Sequence, residues 1–354
     1  MVGTATEAKH TQKLHQCVYA LTSSGNDIFA DMTQVSMLSL RLSNPNMKII
    51  LSCDSASKAA LDRCKNPVLE VCDTVIDIST PESPASFRNR YIKTSLRQHL
   101  SGPFLYLDAD TIIRGDLSEV FQTTASFAAA PNHSGSGDPA EMPGNEKEKF
   151  ISLGWQLPDK HYVNGGVLFF AERPEVYDFC NLWHQKWLAC SEKTGKHYDQ
   201  PSLNSAIHDS RINFTWLKHR FNAQVHARPH TAWGAAIWHI YLSEPHASPE
   251  TEFGEALIKL RQEQSITAAE VANLCQQSHP WTVKNPIDVL AVQSLKHQST
   301  VLNGDRWERL WLANQYGKGV RQLLNQYGRA VRKLLPLRAW ARQAKHLLKS
   351  SFTA

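Results

Sequence analysis

The chain has 354 residues, 42% of them hydrophobic and 20% charged, which is ordinary for a soluble globular protein with a large buried core. Seven cysteines without a Cys-x-x-Cys pair argue against a disulfide framework or a cysteine zinc site, and favour a reducing, cytoplasmic compartment. The net charge is +5. The sequence has no signal-like apolar segment and no run of about 18 apolar residues, so we expect neither export by a signal peptide nor a membrane span.

The first hundred residues alternate β-branched runs with amphipathic stretches, a pattern typical of βαβ units and a parallel sheet. Strands are predicted at Cys17–Leu21, Met47–Cys53, Val68–Ile78 and Phe104–Leu107. Apolar residues at helical spacing between the first two strands predict a helix that is capped by Asn26 or Asp27. A second helix is expected to begin after Asp54, and a third to span Ser86–Leu100.

The middle of the chain continues the α/β pattern. The further predicted elements are strands over Phe127–Ala130, Tyr162–Phe170 and Ala236–Leu242, and helices over Glu175–Cys190 and Asp199–His208. A Gly-, Pro- and Asn-rich loop over Pro131–Gly144 is long enough to be functional. The expected fold class is therefore α/β, with a central mixed, mostly parallel sheet flanked by helices, and a polar helical extension after Ser248.

The C-terminal segment carries a short repeat, Asn314–Gly317 and Asn325–Gly328, offset by eleven residues. Because eleven residues make about three helical turns, aliphatic side chains such as Leu323 and Leu334 would share one face, flanked by arginines. Ten Lys or Arg and no Asp or Glu follow Glu308, which leaves the residues before them with a charge of −5. A basic amphipathic helix of this kind favours an anionic membrane surface over nucleic acid, although its cations would also attract phosphate backbones.

The strongest chemical feature is a predicted buried strand that runs directly into two carboxylates, Asp108 and Asp110, separated by one small residue. In open α/β sheets, ligands bind at the carboxyl ends of the strands. Carboxylate and diphosphate oxygens together favour a hard divalent cation, Mg²⁺ or Mn²⁺. The alternative is an Asp-rich turn without a ligand. The buried strand before the two carboxylates favours the metal site over the turn, and the bound ion would bridge the two phosphates of a nucleotide diphosphate.

The run Tyr106–Leu117 (YLDADTIIRGDL), followed in order by Asn164–Gly166 and Asp199–Asn204, resembles glycosyltransferase family 8 and its close relatives. The resemblance spans about Cys17–Leu242 and implies a Rossmann-like GT-A fold. It also implies a UDP-sugar donor with glucose or galactose favoured, a Mn²⁺ requirement, and retention of anomeric configuration. We accordingly expect a GT-A catalytic domain over residues 1–247, a helical extension over 248–305 and a basic amphipathic tail over 306–354.

The resemblance implies that His239, in Ile237-Trp238-His239-Ile240, joins Asp108 and Asp110 as the third metal ligand. From the sequence alone, a histidine packed on a half-buried strand is equally consistent. An imidazole among carboxylates would favour Mn²⁺ over Mg²⁺. The Gly-x-Lys-Pro-Trp segment that follows this histidine in the family is missing here. Arg90 and Lys93, on the helix before the metal-binding strand, are therefore the candidates for the diphosphate contact.

The resemblance also implies which residues contact the nucleotide sugar. The nucleotide side would be Leu21, Thr22, Asp27, Ala109 and Gly165, and the residues beside the reacting carbon would be Asn164, Asp199 and Gln200. Asp27 and Asp199 each have a second interpretation as helix N-caps. Gly165 and its neighbour either allow close approach of a ligand or mark a β-bulge, and the two readings are compatible.

The implied activity is metal-dependent transfer of a hexose from a UDP-sugar to a glycan or glycolipid acceptor, with the chain cytoplasmic and peripheral on the inner face of a membrane. One alternative is a non-catalytic, degenerate transferase fold that acts as a membrane-recruited binding protein. The missing Lys-Pro-Trp segment favours that alternative, and the intact acidic residues oppose it. A sugar-phosphate nucleotidyltransferase would begin with a Gly-rich basic loop, whereas the first loop here has one glycine and no basic residue.

Overall fold

The computed structural model describes residues 15–132, 142, 144–156, 162–225, 232, 234–240, 252–263 and 265–277. The chain divides into two units, residues 1–283 and 284–354, and every described residue belongs to the first. The predicted basic tail and most of the long loop after Pro131 lie outside the described residues. None of the helices that the structure describes is both long and apolar enough to cross a membrane.

The described elements follow the α/β order expected from the sequence. The strands are β1 (Gln16–Leu21), β2 (Lys48–Cys53), β3 (Thr74–Asp77), β4 (Phe104–Leu107), β5 (Thr111–Ile113), β6 (Phe127–Pro131), β7 (Val163–Phe170), β8 (Phe214–Trp216), β9 (Ala223–Gln224) and β10 (Ile237–His239). The helices are α1 (Ile28–Ser43), α2 (Ser55–Cys64), α3 (Val68–Val71), α4 (Ala85–His99), α5 (Gly144–Leu153), α6 (Pro174–Thr194), α7 (Gln200–Ser210), α8 (Glu252–Glu263) and α9 (Ala268–Gln276).

Seven strands form the central sheet in the order β3-β2-β1-β4-β7-β6-β8. Strand β7 is antiparallel to both β4 and β6, and the other neighbouring strands pair in parallel. This arrangement confirms the prediction of a mixed, mostly parallel sheet. A second sheet has the order β5-β10-β9, and its first strand begins one turn after the end of β4. Because β10 pairs with β5, residues 237–239 lie next to the turn that follows β4.

Alternating side chains of the central strands enter two different hydrophobic cores. In β1, Cys17, Tyr19 and Leu21 belong to the core beneath α1, whereas Val18 and Ala20 belong to the core beneath α4, α6 and α7. Because successive strand residues point to opposite faces, a strand covered by helices on both sides reads as a continuous apolar run. The sheet is therefore the middle layer of a three-layer α/β fold.

The predicted strand over Val68–Ile78 is wrong in its first half, because the chain forms the short helix α3 there and only then enters β3. The Asn66 side-chain oxygen accepts the Val68 backbone N–H at 3.0 Å, and Pro67 adopts a helical φ of −63°. The Asp73 carboxylate then accepts the Ile49 backbone N–H at 2.7 Å, which holds the turn between α3 and β3 against β2. These hydrogen bonds from backbone to side chain offer the segment an alternative to strand pairing and override its β-branched composition.

Helices α8 and α9, within the expected helical extension, pack against α1. Phe253, Leu257 and Leu274 share a buried hydrophobic cluster with Met32 and Val35 of α1. The described part of the extension therefore shares a core with the α/β domain. The domain boundaries at residues 247 and 305 stay predictions.

Candidate metal and donor site

Asp108 and Asp110 lie in the turn that leaves the carboxyl end of β4, whose four residues are all buried. The Asp108 backbone N–H donates to the Gly166 carbonyl at 2.8 Å, and the Ile240 N–H donates to the Asp110 carbonyl at 2.8 Å. The turn is thus fixed on one side by β7 and on the other by the end of β10. His239 pairs with Thr111 in the antiparallel register of β10 and β5, which places it beside Asp110.

One ligand atom from each of Asp108, Asp110 and His239 lies within 4.8 Å of the other two, so the predicted metal ligands do come together. His239 Nε2 is 3.2 Å from Asp110 Oδ1, and the His239 ring is buried. Ala109, between the two acids, packs against the hydrophobic cluster that α1 shares with α8 and α9. Two carboxylates and an imidazole form a donor set that fits a divalent cation of the Mn²⁺ type.

Because Gly166 of β7 has no side chain, the candidate metal ligands His239 and Asp108 can lie directly against its backbone. A Cβ atom there would lie 2.2 Å from His239 Cε1 and 3.0 Å from Asp108 Oδ2, so any side chain would displace both. At Gly165 a Cβ would meet Asp199 Oδ2 at 3.3 Å and Lys93 Nζ at 3.5 Å. Because adjacent strand residues face opposite ways, the two glycines open different parts of one site.

Lys93 and Arg90, the predicted diphosphate contacts, point into the same site from α4. Lys93 Nζ is 3.2 Å from Asp108 Oδ1 and forms an ion pair with Asp199 Oδ2 at 2.8 Å. Arg90 Nε is 2.9 Å from Asp199 Oδ1. Lys93 is buried, so its ammonium is built into the acidic cluster, while Arg90 is partly exposed. A phosphate contact by either residue stays a prediction.

The charges of the site shift the ionisation of its members. Burial disfavours the ionised form of Asp108, but Lys93 and Arg90 outweigh it and lower its pKa to about 2. The Tyr106 hydroxyl also donates to Asp108 Oδ1 at 2.5 Å. Burial opposes protonation of His239, but the Asp110 carboxylate more than offsets this effect and raises the His239 pKa. Asp108 is therefore a carboxylate at any physiological pH, ready to bind a cation.

Asn164, Gly165 and Gln200, predicted to surround the donor sugar, form one hydrogen-bonded group. Gln200 Oε1 accepts from the Gly165 backbone N–H at 3.1 Å and from Asn164 Nδ2 at 3.4 Å. Two residues that the sequence reading missed, Glu146 of α5 and Tyr162 before β7, hydrogen-bond to the Gln200 side chain and to each other. The Gln200 amide is thereby held between β7 and α5.

Asp199 occupies the N-cap position of α7, but its side chain does not cap the helix, so the interpretation of its carboxylate as a mere helix cap is wrong. Its backbone is helical, with φ −92° and ψ −24°, and its side chain makes no capping hydrogen bond. The carboxylate instead forms ion pairs, through Oδ1 with Arg90 at 2.9 Å and through the buried Oδ2 atom with Lys93 Nζ at 2.8 Å. That oxygen is a candidate acceptor for a hydroxyl of a bound ligand.

The loop after β1 has a structural role for each predicted nucleotide contact. Asp27 is the N-cap of α1, where its carboxylate accepts the backbone N–H groups of Phe29 and Ala30 at 3.1 Å. This confirms the capping interpretation of Asp27. The Thr22 hydroxyl donates to the Ala85 carbonyl at 3.1 Å, which ties the loop to the start of α4, and Leu21 is the buried last residue of β1. Nucleotide binding by these residues stays a prediction.

Asn222 is a further polar residue of the site that the sequence reading missed. It follows a short 3₁₀ turn over His219–Phe221, is fully buried, and hydrogen-bonds to both Asn164 and His239. No periodic pattern or motif marks it in the sequence. Its partners come from β7 and β10, and only the folded sheet brings them together.

No protein-family model and no curated protein matches the chain. Among solved structures, the galactosyltransferase LgtC in complex with donor and acceptor sugar analogues is 17% identical, with a TM-score of 0.47 over 71% of this chain and 97% of that one. GlyE of Streptococcus pneumoniae is 17% identical, with a TM-score of 0.47 over 77% of this chain and 66% of that one. The bifunctional glycosyltransferase WbbM is 13% identical, with a TM-score of 0.46, and the match spans about half of its length, 53%. These neighbours are glycosyltransferases, the class that the sequence resemblance names, and at TM-scores below 0.5 the likeness assigns neither a substrate nor a reaction to this chain.

Proposed function

We propose that the chain is a metal-dependent glycosyltransferase that moves a hexose, glucose or galactose by preference, from a UDP-sugar to a glycan or glycolipid acceptor. The observation that carries the proposal is the convergence of Asp108, Asp110 and His239 within 4.8 Å at the carboxyl end of a buried central strand. In an open α/β sheet, this edge is where a nucleotide ligand binds.

The charges around the cluster support an anionic, metal-bound donor. Three carboxylates, Asp108, Asp110 and Asp199, face two permanent cations, Lys93 and Arg90. A divalent ion would reverse the sign of this balance and create a positive site. That sign is complementary to a nucleotide diphosphate, whose leaving group the ion would stabilise as negative charge develops on it.

Asp199, Asn164 and Gln200 would orient the sugar of the donor and stabilise the charge that develops at its reacting carbon. The buried Asp199 Oδ2 atom is paired with Lys93 and lies beside the space left by Gly165, where its second lone pair would accept a sugar hydroxyl. Asn164 and Gln200, fixed on the same strand edge, would present amide groups to the sugar. Such preorganised polar groups lower the barrier by orientation and by electrostatic stabilisation. Retention of configuration is part of the proposal and rests on the resemblance.

The test is hydrolysis and transfer with a panel of nucleotide sugars, with and without Mn²⁺, in wild type and Asp110→Asn. We expect Mn²⁺-dependent release of one nucleotide, reduced at least about 100-fold in the variant because a charged ligand of the metal that would stabilise the leaving group is lost. Asp178→Asn, the same change at an exposed position of α6, is the matched control and should leave the rate unchanged.

Failure of the wild-type chain to release any nucleotide, together with Mn²⁺-independent nucleotide binding, would refute the proposed transferase. That result would favour the alternative, a binding protein built on a degenerate transferase fold. The membrane-binding tail and the cytoplasmic location stay predictions, since the tail lies outside the described residues. Lipid binding by the full chain against one that ends at Asn314 would test the tail independently of turnover.

A further inference from the structure

We propose that Asn222 is a positioning residue that fixes the ring proton of His239 on Nδ1 and so presents the Nε2 lone pair to the metal. The inference rests on the proposed function, because it concerns how this chain prepares a ligand for the divalent ion. It goes beyond that function by assigning a role to a residue outside the ligand set.

A backbone group sets the direction of the whole network. The Gly166 N–H can only donate, and it lies 2.9 Å from the side-chain atom of Asn164 assigned as Oδ1. The two branches of an asparagine amide are distinguished by their partners, and a donor partner requires the oxygen. The oxygen of Asn164 therefore faces Gly166.

The same oxygen determines the orientation of Asn222. Asn222 Nδ2 lies 2.9 Å from Asn164 Oδ1, and only an NH₂ group makes a favourable contact with that acceptor. The other branch of the Asn222 amide must then be its carbonyl oxygen. That oxygen lies 3.0 Å from His239 Nδ1, so the ring nitrogen is the donor and carries the proton.

A proton on Nδ1 determines which state the other ring nitrogen of His239, Nε2, can offer to a metal ion. A neutral imidazole carries one proton, and with that proton on Nδ1 the lone pair is on Nε2. Nε2 is the atom that faces Asp110, at 3.2 Å from Oδ1, so in the metal-free protein that carboxylate favours a second proton on Nε2, and a bound cation would displace this proton while the one on Nδ1 stays. A reversed Asn222 amide would place NH₂ against Nδ1 and favour a proton on Nε2, where it would point at the metal position and block coordination.

Burial makes this orientation costly to change. Asn222 is 0% exposed, Asn164 4% and His239 2%, so water does not compete freely for these groups. Strand β9 begins at the residue after Asn222 and pairs with β10, with Ala223 opposite Trp238. The backbone beside Asn222 is therefore held in register with His239, and a reversed amide would set its oxygen against Asn164 Oδ1 and its NH₂ group against a ring N–H of His239.

The test is Mn²⁺ affinity of the full chain, measured by electron paramagnetic resonance of the free ion without any donor or turnover. Asn222→Leu removes both the acceptor for Nδ1 and the donor to Asn164, and should weaken Mn²⁺ binding about 10- to 100-fold, as loss of a group that orients a metal-bound histidine does. Asn222→Asp keeps an acceptor for the Nδ1 proton and should retain Mn²⁺ affinity within about threefold of wild type.

Equal Mn²⁺ affinity in wild type and Asn222→Leu would overturn the inference and leave the proposed function standing, whereas a wild type that binds no Mn²⁺ would overturn the proposed function as well. A direct measurement removes dependence on how the variants fold. In ¹⁵N-histidine NMR of the wild type loaded with diamagnetic Mg²⁺, with the signals assigned by their loss in His239→Gln, we expect a proton on Nδ1 and none on Nε2. The opposite tautomer would refute the role of Asn222.

Discussion

Replacing Gly166 by alanine should disable the metal site while leaving the rest of the fold in place. The added Cβ would lie 2.2 Å from His239 Cε1, which is 1.2 Å inside the 3.4 Å at which ordinary contacts begin. It would also lie 3.0 Å from Asp108 Oδ2. Gly166 lies in the part of β7 that faces the register shift between Ala129 and Pro131 of β6, but it is not among the residues with positive φ, so the conflict is one of space and not of backbone conformation.

The size of the expected effect follows from where the ring can go. His239 is buried and its Nδ1 atom is hydrogen-bonded to the buried Asn222, so a shift of about 1 Å must carry Nε2 away from Asp110. A displacement of this size in a preorganised site costs roughly 100-fold. Overpacking a buried position costs a further ~1–3 kcal/mol of folding stability, which the fold can absorb.

The assay is Mn²⁺ binding of Gly166→Ala against Gly165→Ala, with thermal unfolding of both in EDTA. At Gly165 the new Cβ would meet its nearest atom, Asp199 Oδ2, at 3.3 Å, so only a small shift is needed and the metal ligands are not touched. We expect about 100-fold weaker Mn²⁺ binding in Gly166→Ala and unchanged binding in Gly165→Ala. Wild-type affinity in a folded Gly166→Ala would refute the reasoning.

Three further predictions concern groups around the site. Glu146→Ala frees the Gln200 amide and should lower kcat for donor hydrolysis roughly tenfold without changing Mn²⁺ affinity. Lys93→Met leaves two carboxylates without their buried ammonium, so chemical denaturation should show a free energy of unfolding lower by about 3–5 kcal/mol. Burial lowers the pKa of His184 to about 4, so the unfolded chain takes up a proton first as the pH falls. Stability should therefore drop between about pH 6.5 and pH 4, and by about 3 kcal/mol less in His184→Asn.

Each of these predictions has a result that would contradict it. A loss of Mn²⁺ affinity in Glu146→Ala would place that residue at the metal and not at Gln200. Lys58→Met, at an exposed position of α2, is the control for Lys93→Met, and equal unfolding free energies in the two variants would show that the buried ion pairs do not stabilise the fold. Parallel pH profiles for wild type and His184→Asn would mean that His184 does not titrate differently on folding.

The long, periodic elements were predictable from the sequence because their signals are local. The strand that ends at Leu107, the glycines of β7 and the carboxylates after β4 all follow from patterns read over a few residues, and each is where it was expected. The capping role of Asp27 was also readable, since a cap acts on the next turn of its own helix.

The parts that were not predicted depend on partners far along the chain. Strands β5 and β9 have three and two residues, too few for a periodic signal, and exist because they pair with β10, which lies within the predicted strand over Ala236–Leu242. The ion pairs of Lys93 with Asp108 and Asp199 join three separate elements, so the sequence could nominate the lysine for the site but not its partners. Asn222 and Glu146 were missed for the same reason.

The small sheet of β5, β10 and β9 determines when the three candidate metal ligands come together during synthesis and folding. Asp108 and Asp110 leave the ribosome well before His239, and the cluster is complete only when β10 has paired with β5. A divalent ion would therefore bind the finished fold in preference to any partly folded chain, and would hold the late strand in place by mass action. The supply of the ion in the cell would then influence how long each newly made chain survives proteolysis, apart from how fast it works.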